Sequence, residues 1–218
     1  MTALAFVAIA WGRPGLPDFR DAVTEAQRSA LSASLEAACP LVPLAQVHAC
    51  SDDVDAIAAR VDAWLKTVGP DAGIAYVGAL AARYRGRDGE AERRYRQVIA
   101  WDPDDEAAHY DLGEILLSQG RLDEAAVAFA RVVELRTEGA GAWVGPWRMA
   151  EVSAWRGDAA AMETHLREAL RRGFSFRTVA GTPNWATFYA NPALRDPLRK
   201  LVTVYGDPAI LETWTPAP

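Results

Sequence analysis

Cys39, His48 and Cys50 are the nearest this chain comes to a metal-binding set. A structural zinc needs four nitrogen or sulfur ligands, and these three lack both a fourth and the CxxC spacing. Two free thiols in a reducing compartment are the expectation, with one disulfide as the alternative. His109 and His165 lie far from His48 in sequence, so no imidazole pair is suggested, and His109 is expected to pack. "DPDDE" (102–106) offers carboxylates without the D-x-[DN]-x-[DN]-G run that calcium needs. It reads as a turn ending in a helix N-cap. "WGRPG" (11–15) follows an apolar run, as phosphate-binding turns do. It lacks the GxxxxGK[ST] and GxGxxG spacings that ring a phosphate with backbone N–H groups, so it reads as a connecting loop. There is no HExxH and no GxSxG. The residues therefore predict no catalytic site, no metal and no cofactor.

Arg83, Arg85, Arg87, Arg93, Arg94 and Arg96 could suggest nucleic acid, but Glu90 and Glu92 interrupt them. An outer, solvated helix face is the expectation, and nucleic acid is not expected as a partner. The net charge of -6 points the same way. It is unevenly placed: -3 over residues 1–70, -5 over 71–140 and +2 over 141–218. No run reaches the roughly 20 apolar residues of a membrane span. The apolar start "MTALAFVAIAWG" has no Lys or Arg before it and is short for a signal segment. A cytoplasmic protein without membrane contact is expected.

A repeat must position any site this chain has. Gly86 lies 34 residues before Gly120. Ala91, Tyr95 and Ile99 lie at the same interval before Ala125, Phe129 and Val133. "AYVGALAARYRGRDGEAERRYRQVI" thus aligns above "HYDLGEILLSQGRLDEAAVAFARVV". Small residues recur where two helices approach, and large apolar ones where they fill space. Gly157, Met162, Leu166 and Ala169 give a third copy, 37 residues after Gly120, Ala125, Phe129 and Val132. The three extra residues fall in the glycine-rich "RTEGAGAWVGP".

This pattern resembles the tetratricopeptide repeat, a helix–turn–helix unit of about 34 residues with a W-x2-L-G-x2-Y…A-x3-F…P signature. The match is best over 106–139, where Leu112, Gly113, Ala125 and Phe129 fit; units 72–105 and 143–176 are more degenerate. The resemblance implies a mainly α fold: a three-repeat solenoid over 71–176 with a helical cap over 177–218. It also implies a concave face lined by the second, fifth, ninth and twelfth residues of each unit. The candidate peptide-binding residues on it are Tyr76, Leu80, Arg83, Tyr110, Glu114, Leu117, Trp147, Glu151 and Trp155. Aromatic side chains supply contact area at low entropy cost. The two glutamates favour Lys or Arg in a ligand. The implied function is a protein-interaction adaptor or scaffold, its partner a protein or peptide with basic or apolar residues.

Residues 1–70 do not fit the repeat. "LAFVAIAW" and 41–49 are strand candidates; 17–38 and "SDDVDAIAARVDAWLKTVG" are helices, the latter capped by Ser51. The order is β-α-β-α with a parallel crossover, or else both apolar runs are helical or irregular. Two alternatives to the adaptor follow: a small catalytic or ligand-sensing N-terminal domain with a recruitment module, or a homo-oligomer that fills its own groove. An amphipathic helix over 192–205 is expected to close the array, followed by "TWTPAP" as an extended tail.

Overall fold

The computed structural model describes residues 19–42, 47–48 and 50–215. Three helical hairpins form its centre: α3 (Ala72–Tyr84) with α4 (Asp88–Trp101), α5 (Glu106–Ser118) with α6 (Leu122–Leu135), and α7 (Val144–Trp155) with α8 (Ala159–Arg171). Each hairpin leans on the next, α4 against α5 and α6 against α7. The hairpin turns are one structure used three times. Gly86, Gly120 and Gly157 each adopt a left-handed backbone, with φ of 67°, 72° and 72°. A side chain is strained there, so glycine recurs. Asp71 and Asp105 cap α3 and α5, accepting from the N–H groups of Ile74 and Ala108 at 2.8 and 2.9 Å. "DPDDE" is thus a turn and a helix start.

The second helix of each hairpin buries a stripe at i, i+4 and i+7: Ala91, Tyr95 and Val98; Ala125, Phe129 and Val132; Met162, Leu166 and Ala169. Gly113 lets α5 approach this stripe. A Cβ there would stand 2.5 Å from the Phe129 ring, which is fully buried. The three-residue insertion is pinned from both sides. Arg136 donates to the Ala140 carbonyl at 3.2 Å, and Arg172 donates to the carbonyls of Val133 and Arg136 at 3.2 and 3.0 Å.

The expected β-α-β-α unit does not form among the described residues. Its first strand candidate, 3–10, lies outside them, as does "WGRPG". Within the second candidate, β1 (Leu41–Val42) and β2 (Val47–His48) pair antiparallel, Leu41 opposite His48. The two ends of this run pair with each other, so it does not serve as one parallel strand. No sheet is needed to cover α1 (Phe19–Ala38). Its Leu31, Leu35 and Ala38 pack on Val54, Ile57 and Val61 of α2 (Asp53–Val68) and on Ile74, Val77 and Ala81 of α3. α2 packs on α3 as α4 packs on α5, and Ile57 and Val61 sit 34 residues before Ala91 and Tyr95. α1 and α2 are a fourth, divergent hairpin. Ser51 is not the cap expected of it: Asp52 holds the N-cap position of α2, and Ser51 only accepts from the Asp53 N–H at 3.3 Å. Cys39 and Cys50 are joined as a disulfide across the connection, with Cα atoms 4.0 Å apart, in place of the expected free thiols.

At the other end, α9 (Pro183–Ala190), α10 (Pro192–Tyr205) and α11 (Ala209–Trp214) close the array. Leu194, Leu198, Leu201 and Val202 of α10 are fully buried against α8 and its surroundings. Of the expected extended tail, 213–218, Thr213 and Trp214 end α11 instead, Thr215 is extended, and 216–218 lie outside the described residues. The Trp214 ring stacks on Trp185 at 6.2 Å, and its indole N–H donates to the Ala180 carbonyl at 3.1 Å. No described helix is long and apolar enough to cross a membrane.

Two outcomes test this account. Gly113→Ala is expected to destabilise by about 1–3 kcal/mol in thermal unfolding, because the added methyl overpacks the Phe129 site. Reduction, or Cys39→Ser, is expected to cost the folded chain about 2–3 kcal/mol through the freed loop, read as a lower midpoint in denaturant with reductant than without.

Candidate protein-binding face

The nine candidate residues lie on three successive helices. Tyr76, Leu80 and Arg83 share one face of α3, and Tyr110, Glu114 and Leu117 share one of α5 (i, i+4, i+7). Trp147, Glu151 and Trp155 stand four apart on α7. The structure joins six of them through two shared partners, Asp111 and Arg148, and few of the nine wait unengaged. Tyr76 donates to Asp111 at 2.7 Å, and Arg83 pairs with the other oxygen of Asp111. Tyr110 accepts from Arg148 at 3.0 Å and tilts against Phe129. Glu114 and Glu151 both hold Arg148. Trp147 stacks on Phe174 and lies under the Arg148 guanidinium, 4.1 Å from the ring centroid. Leu80 and Leu117 are half-buried against the neighbouring cores. Trp155 is the open member at 44% exposure, meeting Phe188 of the cap edge-on.

Asp111 and Arg148 organise this face, and neither was among the candidates. Both occupy the sixth position of their unit, one place beyond the aromatic. A signal existed: each lies about one repeat from the group it binds, Asp111 after Tyr76 and Arg148 after Glu114. The result is two polar seams, one joining α3 to α5 and the other joining α5 to α7.

Burial sets the electrostatics. It raises the Tyr76 hydroxyl far above its ordinary value, with the Asp111 charge adding to the effect. Burial opposes the charge of Arg148, but Glu114 and Glu151 outweigh it and keep the guanidinium ionised. Glu114 is driven the other way. Burial pushes its carboxyl above the ordinary 4.5, and Arg148 only partly offsets this.

The remaining chemistry-bearing residues serve the scaffold. Arg83, Arg85, Arg87, Arg94 and Arg96 each pair with a carboxylate, several from the neighbouring hairpin. His109, expected to pack, turns its Nε2 to the Pro103 carbonyl at 3.0 Å. Its place at the helix start puts that carbonyl within reach. Among the described residues, no three His, Cys, Asp or Glu side chains are grouped to hold a metal ion.

The raised carboxyl of Glu114 has a measurable consequence. Its charge is disfavoured in the folded state, so the penalty is absent below the ordinary value of 4.5 and complete above the raised one. Glu114→Gln keeps an acceptor for Arg148 and removes the charge. Its thermal midpoint is expected to exceed the wild type's near neutral pH, on the order of 2 °C, with the gain vanishing in acid.

Residues 82–141 match a family model described as tetratricopeptide repeat. No curated protein matches the chain. Among solved structures, PilF of Pseudomonas aeruginosa is similar with a TM-score of 0.63 at 14% identity, over 91% of this chain and 79% of that one. MamA is similar at 0.59 and 16%, over 74% and 88%. A tetratricopeptide repeat protein of Parabacteroides merdae gives 0.52 and 16%, over 86% and 77%. At these identities the likeness is one of fold. Repeat register and family match coincide: residues 82–141 are tetratricopeptide repeat, in a chain whose backbone has the fold of solved proteins of that kind.

Proposed function

We propose that this chain is an adaptor that binds a protein or peptide segment along the face shared by α3, α5 and α7. Proteins of this repeat family generally mediate protein–protein interactions. The observation that supports this face is Trp155, a tryptophan left 44% exposed one turn beyond Glu151 on α7, on a set of helices whose other aromatics, Tyr76, Tyr110 and Trp147, are half-buried. Large aromatics with one open side are the usual anchors of an interface. The rest of the face is held rigid by the Asp111 and Arg148 seams, so a partner would meet a preorganised surface.

The N-terminal region supports the scaffold reading over the catalytic one, since the described part of α1 and α2 spends its apolar side chains on packing α3. For the compartment, the Cys39–Cys50 disulfide favours an oxidising one. That reverses the reading based on free thiols.

Affinity capture from the native source, with wild type and Trp155→Ala side by side, tests the adaptor reading. Trp147 is unsuited to this purpose because its ring packs on Phe174. A partner whose affinity falls at least about tenfold in the variant is expected. Equal capture by both proteins would move the function off this face. Concentration-dependent mass in light scattering, abolished by Trp155→Ala, would instead identify a self-associating protein.

A further inference from the structure

Glu114 has one carboxylate oxygen, Oε1, with no hydrogen-bond partner, although only 17% of its side chain is exposed. The groups around it can be counted. Arg148 and Glu151 approach from α7, and Arg83 from α3, while Asp111 and Tyr110 stand on its own helix. Three carboxylates thus meet two guanidiniums, and this part of the face is one positive charge short. Tyr110 contributes a neutral hydroxyl.

Arg148 shows what chemistry fits there. Its guanidinium sits 4.1 Å from the centroid of Trp147 and 5.6 Å from that of Tyr110, with its terminal nitrogens on Glu114 and Glu151. Aromatic rings below and carboxylates beside a cation are mutually reinforcing. Trp155 stands one turn beyond Glu151 on α7 and is the open ring among the candidate residues. It can carry the alkyl stem of a long basic side chain.

We propose that the α5–α7 part of this face captures one arginine or lysine side chain of a protein partner, with Glu114 accepting the cation beside Arg148 and Trp155 supporting its stem. Rotation about the terminal bond of Glu114 presents the unpartnered oxygen. The missing positive charge selects the partner: an acidic segment would face Glu114 and Glu151 in repulsion, while a neutral one would leave Glu114 uncompensated. This inference rests on the adaptor reading. It also carries a proton signature. Glu114 must be ionised to take the cation, so capture tightens as pH rises through its raised titration.

The test uses octapeptide pools of mixed Gly, Ala, Ser and Leu that differ only at the centre: arginine, lysine, the neutral isostere citrulline, or norleucine. Fluorescence anisotropy reads their binding to the full chain. The arginine and lysine pools are expected to bind wild type about tenfold more tightly than the citrulline pool. That ratio should collapse in Glu114→Gln, and the arginine affinity of wild type alone should rise as the pH is taken above the ordinary carboxylate range. Proton release on binding the arginine pool, measured calorimetrically in two buffers of different ionisation heat, gives the same answer on wild type without any variant. Equal affinity for arginine and citrulline pools would overturn the proposal, as would a preference that survives Glu114→Gln. A norleucine pool that binds wild type but not Trp155→Ala, with no arginine preference, would sink the cation site and keep the adaptor reading. Failure of every pool to bind would overturn both.

Discussion

A helical hairpin of about 34 residues has more apolar surface than it can cover by itself. Everything in this chain follows from that shortage. The buried stripes of α4, α6 and α8 are covered partly by their own partner helices and partly by the next hairpin. Among the described residues, the two ends of the three-hairpin array are covered differently. The N-terminal end uses a divergent hairpin whose connection is held by a disulfide. The C-terminal end uses an aromatic cluster in which Trp185 and Trp214 are almost wholly enclosed.

Stacking also fixes where polar groups can go. The first helices of successive hairpins stand close enough for side chains to bridge them, and those bridges are partly withdrawn from water. Asp111 and Arg148 are costly in such a place unless paired, and each is paired more than once. The arginines of the other helices form pairs that are mostly more exposed, and such pairs contribute little each. Similar chemistry therefore has two meanings in one molecule: specification on one side and solvation on the other.

Much of this was legible in the sequence because it is local. Gly86, Gly120 and Gly157 mark turns that need a left-handed residue, and Ala91, Tyr95, Ala125 and Phe129 mark the packed stripe. What was not legible depended on non-local choices. The α1–α2 hairpin hid behind a connection far longer than the other turns, although Ile57 and Val61 stood in register one period ahead. Arg148 could have faced solvent; that it turns to Glu114 and Glu151 depends on how α5 and α7 stack. Trp214 looked like tail because nothing nearby in sequence announces Trp185 as its partner.

The same neighbour-only stacking bears on how the molecule comes into being. Each helix of the array rests on helices adjacent or nearly adjacent in the chain. A nascent polypeptide leaving the ribosome would find the partner for each new helix among residues just released, so it need not wait for its far end. Such low contact order favours rapid, sequential folding. The last of these steps is the closing cluster, where Trp214 must return to Trp185 and Ala180. Until it does, the growing end keeps an apolar surface open, and that interval is when a chaperone would have something to hold.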